Sequence, residues 1–401
     1  MKPPLYDPVR HEPLAVAEWD EARVREGIAA ICRNAEAAFD THRFWPLHPD
    51  DHDLNISQEG FLRGLYGGAA GMLHALDRLR RTGLYGTSLD LAGIAGRIHD
   101  DWLASPQESG AGASLMFGST GILVVTRRLA PSAAAADTLA DAIAASPDDF
   151  ANDLTSGAPG ALLAARAMHA LTGQERFAEL WKAGARILLD RQEPDGLWTH
   201  DLAGRQDRWI GAGHGFAGNI MALLAAPEWL DDAPNIEARA AGTLRSHAIL
   251  DGGFANWPAF PGGAAGGKPL RLQWCHGSAG IVTSLARMAP DSEAHGELMN
   301  AAGELVWVAG PMAANAGLCH GTAGNGFAFL SLFERTKEER WLARARAFAM
   351  HALDQVERFR AATGCGRHTL FTGDAGVALF AAACLTGCAG FPGLEDLAAA
   401  G

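Results

Sequence analysis

The stretches Trp-Cys-His-Gly-Ser-Ala-Gly at 274–280 and Leu-Cys-His-Gly-Thr-Ala-Gly at 318–324 are two copies of one pattern, Cys-His-Gly-x-Ala-Gly. Their Gly-x-x-Gly step, followed by a small or apolar run, recurs along the whole chain, and such self-similarity is the mark of a repeat fold. The step occurs at seven places: Gly68/Gly71, Gly118/Gly121, Gly157/Gly160, Gly215/Gly218, Gly277/Gly280, Gly321/Gly324 and Gly373/Gly376.

The spacing of these steps predicts two helices in each repeat. Successive first glycines are 39 to 62 residues apart, which leaves room for a helix pair with its connections. Each step is followed by an apolar stretch, such as residues 161–165, and between the steps lie amphipathic stretches, such as residues 176–183 and 341–348. We therefore expect an apolar inner helix and a half-polar outer helix in each repeat.

Seven such pairs predict an all-α fold in which the helices close into a ring, an α/α toroid of seven inner and seven outer helices. Closure is favoured because neither end of the chain resembles a polar capping repeat. The repeats cover about residues 61–377, and we interpret residues 1–401 as a single domain. Two turn-rich stretches, 193–211 and 250–267, interrupt the helical rhythm and predict loops with short extended pieces at the rim of the active face.

Composition excludes several classes of function. The net charge of −13 and the absence of a basic stripe argue against a nucleic-acid partner. No run approaches 18 apolar residues, which argues against a transmembrane segment, and the first residues lack the apolar core of a signal peptide. Six cysteines in 401 residues do not suggest a disulfide scaffold, so a cytoplasmic location is expected.

Thiols and an imidazole recur at one phase of the repeat. Cys275 and Cys319 each stand two residues before the first glycine of their steps, and His320 directly follows Cys319. Equivalent positions of neighbouring repeats lie close in space, and two thiolates with an imidazole are a ligand set for catalytic zinc that leaves a fourth position open. The alternative is two buried cysteines that pack as small hydrophobes beside a histidine bonded to a carbonyl.

Other polar residues share this end of the inner helices. His214 and His276 directly precede the first glycines of repeats four and five, and Asp153 stands four residues before that of repeat three. His214 is a candidate general acid or base, or else a cap of the helix start. Asp153 is a candidate to orient a catalytic group, or an ordinary helix cap. Arg271 is a candidate to hold an oxygen anion, or forms a surface salt bridge.

The remaining histidines and cysteines lack this pattern. We interpret three histidines as structural: His200, His351 and His368. Cys384 and Cys388, four residues apart on one helix face, are predicted to be core residues. The sequence around Cys32 and Cys365 indicates neither a functional nor a core position.

These motifs resemble the LanC and LanC-like (lanthionine synthetase C-like) family, from about residue 61 to residue 377. The specific parts are Trp-Cys-His-Gly at 274–277 and Leu-Cys-His-Gly-Thr-Ala-Gly-Asn at 318–325. The resemblance implies a toroid of seven inner and seven outer helices with zinc at one mouth. It implies these roles: Cys275, Cys319 and His320 as metal ligands, His214 as catalytic histidine, Asp153 as motif aspartate and Arg271 as active-site arginine.

One departure bears on the reaction. Many lantibiotic cyclases have tyrosine at the position of His276, and the Trp-Cys-His-Gly form resembles the LanC-like branch, whose members bind glutathione. The resemblance implies a zinc enzyme that adds a cysteine or glutathione thiol to dehydroalanine or dehydrobutyrine in a dehydrated peptide, with a possible partner dehydratase. His276 is a further catalytic candidate. The alternatives are a non-catalytic zinc- and glutathione-binding adaptor, and a carbohydrate-active toroid, which needs paired carboxylates where only Asp153 is found.

Overall fold

The computed structural model describes residues 3–15, 18–51, 61–104, 113–146, 151–202, 204–264, 266–289 and 293–398. Within these ranges the inner helices are α2 (Ala69–Arg81), α4 (Ser119–Leu129), α6 (Ala158–Thr172), α8 (Phe216–Leu223), α10 (Ser278–Leu285), α12 (Thr322–Thr336) and α14 (Asp374–Thr386). The outer helices are α1 (Glu21–Ala37), α3 (Leu91–Ala104), α5 (Ala133–Ala145), α7 (Glu175–Asp190), α9 (Ala233–His247), α11 (Glu293–Ala309) and α13 (Glu339–Thr363). The predicted alternation of inner and outer helices is confirmed.

Burial separates the two sets of helices. The inner helix α6 is buried on all sides over most of its length, as its apolar sequence requires. The outer helix α7 buries only the face that carries Phe177, Trp181 and Leu188, at helical spacing. Each outer helix therefore presents a polar face to solvent and packs its apolar face on the inner ring.

The two glycines of each step have separate roles. The first is the N-cap residue of the inner helix in all seven repeats. A Cβ atom at the second glycine would lie 1.7–2.5 Å from the backbone oxygen six residues earlier, in every repeat. Only glycine therefore allows the turn to fold back onto the start of its helix.

The ring is closed. Each inner helix packs against the next, and α14 packs against α2. The second glycine of a repeat also lies against a side chain of the preceding repeat, as Gly121 does against Leu65. Gly71 of the first repeat lies against Leu370 of the seventh in the same way. The predicted toroid is confirmed, and the interpretation of residues 1–401 as one domain stays a prediction.

Backbone hydrogen bonds join the turns at one mouth of the ring. At five of the seven junctions between repeats, a backbone hydrogen bond from N–H to carbonyl joins the residues two positions before the first glycines. These bonds, at 2.9–3.4 Å, run from Tyr66 to Met116, Met116 to Thr155, Cys275 to Cys319, Cys319 to Phe371 and Phe371 to Tyr66. Residues at the same position of successive repeats are therefore neighbours in the structure.

Two short hairpins stand where the turn-rich stretches interrupt the helices. Strands β1 (His200–Leu202) and β2 (Arg205–Asp207) pair antiparallel, as do β3 (Ile249–Asp251) and β4 (Phe254–Asn256). The predicted short extended pieces are present in both stretches. Among the described residues, no helix has the length and apolar character needed to cross a membrane.

Gly280→Ala is expected to destabilise the fold by about 1–3 kcal/mol, the usual cost of overpacking. The new Cβ atom would lie 1.7 Å from the carbonyl oxygen of Trp274, and this backbone cannot move aside cheaply. Gly242→Ala in α9 is the matched control, because a Cβ atom there meets nothing within 4 Å, and it is expected to stabilise by up to about 1 kcal/mol. Urea unfolding compares the two, and equal effects would contradict the packing role of the second glycine.

Candidate functional site

The predicted site residues lie in the turns that precede four neighbouring inner helices, α6, α8, α10 and α12. These turns belong to the mouth of the ring at which the helix N-termini point. The positive ends of four helix dipoles therefore face the site, which favours anionic groups such as thiolates. The repeat phase brings the candidates to one end of the fold, as expected.

Cys275 and Cys319 form a buried pair. Their exposed fractions are 6% and 7%, and their thiols are hydrogen-bonded to each other. The hydrogen bond from Cys319 lowers the pKa of Cys275 to about 7 against the opposing effect of burial, and the positive charge of His214 assists. The side-chain amide of Gln273 also donates a hydrogen bond of 2.9 Å to the Cys275 sulfur. The pair is therefore set up to carry negative charge on sulfur.

The donors around this pair are of the kind that zinc prefers. His320 directly follows Cys319 and is only partly buried, so an imidazole stands beside two thiols. In the part of the chain that the structure describes, no three His, Cys, Asp or Glu side chains converge closely enough to hold a metal ion as they stand. The two thiols fit a zinc site by type and by position, and His320 fits by type. The three-ligand site stays a prediction.

His214 and Asp153 form the second half of the site. Nδ1 of His214 lies 3.0 Å from Oδ2 of the buried Asp153, and a third of the His214 side chain is exposed. Burial lowers the pKa of His214, but the hydrogen bond and charge of Asp153 outweigh it and raise that pKa above the usual range. Burial raises the pKa of Asp153, yet His214 holds it below the usual range. Asp153 therefore favours the protonated, imidazolium form of His214.

His276 differs from His214 in its charge. Its ring stacks on His214 at 5.6 Å between centroids, and the ring of Trp209 lies 5.2 Å away on another side. Burial, together with the charges of His214 and Arg271, lowers the pKa of His276 to about 3. His276 is therefore a neutral imidazole at neutral pH. Arg271 is exposed, and its charge also lowers the pKa of Cys275.

A cavity of about 280 Å³ lies beside the turns that precede α12 and α14, and none of the predicted site residues lines it. Its wall includes Gly317, two residues before Cys319, and the side chains of Arg358, Phe359 and Arg367. Backbone from residues 313–317 forms another part of the wall. Its lining combines the aromatic ring of Phe359 with two guanidinium groups and two carboxylates, those of Glu12 and Asp374.

A comparison with protein families shows the family to which the chain belongs. The family described as Lanthionine synthetase C-like protein matches residues 63–393. The chain belongs to this family. The match includes every Gly-x-x-Gly step and all seven predicted site residues of this LanC-like chain.

Individual relatives of the LanC-like chain agree with this assignment. It is 33% identical over 175 residues to LanC-like protein GCL1 of Arabidopsis thaliana, which is 42% of this chain and 39% of that protein. It is 30% identical over 177 residues to Glutathione S-transferase LANCL1 of Danio rerio, which is 44% of this chain and 40% of that protein. The chain thus matches about two fifths of the length of these relatives.

Among solved structures, nisin cyclase has the same fold. The structures superpose with a TM-score of 0.60, covering 91% of this chain and 94% of nisin cyclase, at 14% sequence identity. At this identity the likeness concerns the architecture of the LanC-like chain, and it supports the all-α toroid.

Three contributors to the LanC-like site were not predicted from the sequence. Gln273 bonds the Cys275 sulfur, and the hydroxyl of Thr155 donates to Asp153 at 2.9 Å and lies 3.3 Å from Nδ1 of His214. Trp209 packs beside His276. Thr155 stands two residues before the first glycine of its repeat, as Cys275 and Cys319 do, so its place at the site could have been predicted from the repeat. Gln273 and Trp209 stand at the phases of Asp153 and Arg271, four and six residues before their first glycines, but their residue types did not suggest a role.

The other histidines and cysteines lie mostly where expected. His351 is buried with Nε2 2.6 Å from a carboxylate oxygen of Glu12, and His368 is buried. Cys384 is a fully buried core residue. Cys388 is exposed, so its assignment to the core was wrong. The reason is that α14 ends at Thr386 and the left-handed Gly387 turns the chain away before Cys388.

Proposed function

We propose that this protein adds a thiol to the β-carbon of a dehydroalanine or dehydrobutyrine residue in a peptide and so forms a thioether. The observation that carries the proposal is the buried thiol pair at the same mouth as a histidine hydrogen-bonded to a buried carboxylate. One half of such a site favours negative charge on sulfur, and the other half offers a proton. Addition of a thiol to a conjugated alkene requires both.

The bonds and protons balance without a further reactant. The substrate thiol loses its proton, and its sulfur forms a bond to the β-carbon as the carbon–carbon double bond breaks. The electron pair moves to the α-carbon and its carbonyl, giving an enolate. Protonation of the α-carbon completes the thioether. The thiol proton passes to solvent, and the acid that protonates the α-carbon regains a proton from solvent, so the enzyme returns to its starting state.

Zinc is the proposed cofactor, held by Cys275, Cys319 and His320. When bound, it would lower the pKa of a substrate thiol that occupies its open position. Gln273 already donates a hydrogen bond to Cys275 and would fix that sulfur as a ligand. The burial of both thiols and the lowered pKa of Cys275 beside Cys319 support the assignment, because a thiolate is the form that binds zinc.

His214 is the proposed acid. Asp153 raises its pKa, which favours the protonated ring that an acid requires. Asp153 is in turn fixed by the backbone N–H of Ser156 at 2.7 Å and by the Thr155 hydroxyl. Neutral His276 packs against His214 and holds the orientation of that ring. Arg271 brings a positive charge to the mouth, where an enolate oxygen would develop.

The thiol would come from a cysteine of the dehydrated peptide or from glutathione. The name of the zebrafish relative, a glutathione S-transferase, supports glutathione, and the architecture shared with nisin cyclase supports a peptide. A dehydratase would supply the dehydroamino acid.

The test is the rate of thioether formation on a dehydroalanine-containing peptide, followed by mass spectrometry with and without the protein. We expect acceleration over the uncatalysed reaction. If the protein binds glutathione and gives no acceleration with any thiol, it acts as a glutathione-binding adaptor and the proposed reaction is wrong.

Asp153→Asn is expected to shift the basic limb of the pH–rate profile to lower pH by about one unit or more. The acid is active when protonated, so activity falls as pH rises through the pKa of His214. Asp153 raises that pKa, and without its charge the effect of burial remains, which lowers it. Rates measured between about pH 5 and pH 8 reveal the shift. An unchanged basic limb would mean that His214 is not the acid.

A further inference from the structure

The last segment that the structure describes packs among the inner helices. After α14 ends at Thr386, residues 388–398, here called the C-terminal hook, turn back among the inner helices. Three of its apolar side chains, those of Phe391, Leu394 and Leu397, are at most 1% exposed. The hook ends in a 3₁₀ helix, Glu395–Ala398, that packs on α6.

Ionic and polar contacts hold the hook in place. Nε2 of the buried His74 on α2 lies 2.9 Å from Oδ2 of the buried Asp396. Arg287, just after α10, pairs with Glu395. The backbone N–H of Gly393 donates to Asp396 at 2.7 Å, which fixes the turn of the hook itself. A segment anchored to opposite sides of the ring in this way has a defined position in the structure.

The hook supports the residue that precedes the first site cysteine. The ring of Phe391 stacks on the indole of Trp274 with centroids 4.8 Å apart and planes 12° apart. Phe327 and Phe371 enclose Phe391 from two further repeats, at 4.9 Å and 6.1 Å between centroids. Trp274 is only 1% exposed, so its ring has little freedom to move while Phe391 is present.

Trp274 in turn lies beneath both halves of the site. It is bonded directly to Cys275 in the chain. A Cβ atom added at Gly213, the residue before His214, would lie 3.4 Å from the Trp274 ring and 3.0 Å from the Cys275 Cβ atom. The backbone that carries His214 therefore rests against Trp274 and Cys275 together. One indole ring is thus in contact with the backbone of both halves of the site.

We propose that Phe391 is a positioning residue, which through its stack on Trp274 fixes the relative placement of Cys275 and His214. This inference rests on the proposed function, because it assigns Phe391 a role in that reaction. A displacement of about 1 Å between reacting groups lowers rates by up to about 10²-fold. The C-terminal hook thus contacts, through Phe391 and Trp274, the turn that carries Cys275.

Phe391→Leu tests the stack, since leucine fills most of the space and lacks the flat ring. We expect kcat for thioether formation to fall about 10-fold or more, with KM within about twofold. Leu397→Ala is the control, because Leu397 is equally buried in the hook and its truncation lowers the melting temperature at least as much. Its kcat is expected to stay within about twofold of the original chain. Phe391→Tyr retains the ring and is expected to retain kcat.

Two outcomes overturn the inference. One is an unchanged kcat in folded Phe391→Leu. The other is a kcat that falls in both Phe391→Leu and Leu397→Ala, in proportion to the loss of melting temperature in each. If the original chain forms no thioether at all, the proposed function fails, and the hook is tested by alkylation of the metal-free protein. Iodoacetamide should then modify Cys275 at least about threefold faster, relative to exposed Cys365, in Phe391→Leu but not in Leu397→Ala. Equal rates would overturn it.

Discussion

His214→Asn is expected to slow thioether formation by about 10²-fold or more while zinc stays bound. The variant keeps a polar side chain of similar size but removes the titratable proton that Asp153 holds on the ring. The thiol pair is untouched, so metal content should not change. Steady-state rates and elemental analysis of the same preparation measure both quantities.

His169→Asn is the matched control for this prediction. His169 is a histidine of similar exposure, 26%, and its Nε2 lies 3.6 Å from a carboxylate oxygen of Glu175. It stands near the far end of α6, away from the mouth. Its variant is expected to keep full activity. Full activity in His214→Asn instead would contradict the assignment and move the acid to another group, with His276 the next candidate.

Replacing Cys275 and Cys319 together by alanine is expected to remove zinc and to reduce the rate to that of the uncatalysed reaction. Only His320 would remain of the proposed ligands, and one imidazole does not retain zinc through purification. The fold should persist, because the closed ring of helices and the glycine steps supply the packing. Zinc content and circular dichroism measure the two effects.

Cys32→Ala with Cys384→Ala is the control for this pair. Both thiols are buried, at 2% and 0% exposure, and burial raises their pKa values, so they are poor metal ligands. That variant should keep stoichiometric zinc. Zinc retained after loss of Cys275 and Cys319 would exclude them as ligands. Global unfolding on chelation would indicate a structural metal instead of a catalytic one.

The toroid could be predicted from the sequence because the same local turn in each repeat requires the same pair of glycines. A second glycine is needed wherever a carbonyl oxygen six residues earlier occupies the Cβ position, as at Gly280 and Gly324. This requirement is local and recurs, so a single chain reveals it. The adjacency of Cys275 and Cys319 follows from the same phase, and a backbone hydrogen bond of 3.1 Å joins them.

The contacts that depend on distant parts of the chain were not predictable in this way. The C-terminal hook has no repeat phase, and its pairing with His74 spans 322 residues. The neutral state of His276 results from burial beside His214 and Trp209, which no sequence pattern records. Nothing in the sequence marks Gln273 as the donor to Cys275. Such contacts depend on tertiary packing, which brings together residues far apart in the sequence.

The central claim is that the protein catalyses thiol addition, and the most direct measurement is product formation from two dehydroalanine peptides. One peptide carries its own cysteine, and the other is offered glutathione. Glutathione addition increases the mass of the product, whereas ring closure leaves the mass unchanged and removes a free thiol. The account predicts that at least one product forms faster with the zinc-loaded protein than with the metal-free protein. Equal rates for both products would contradict it.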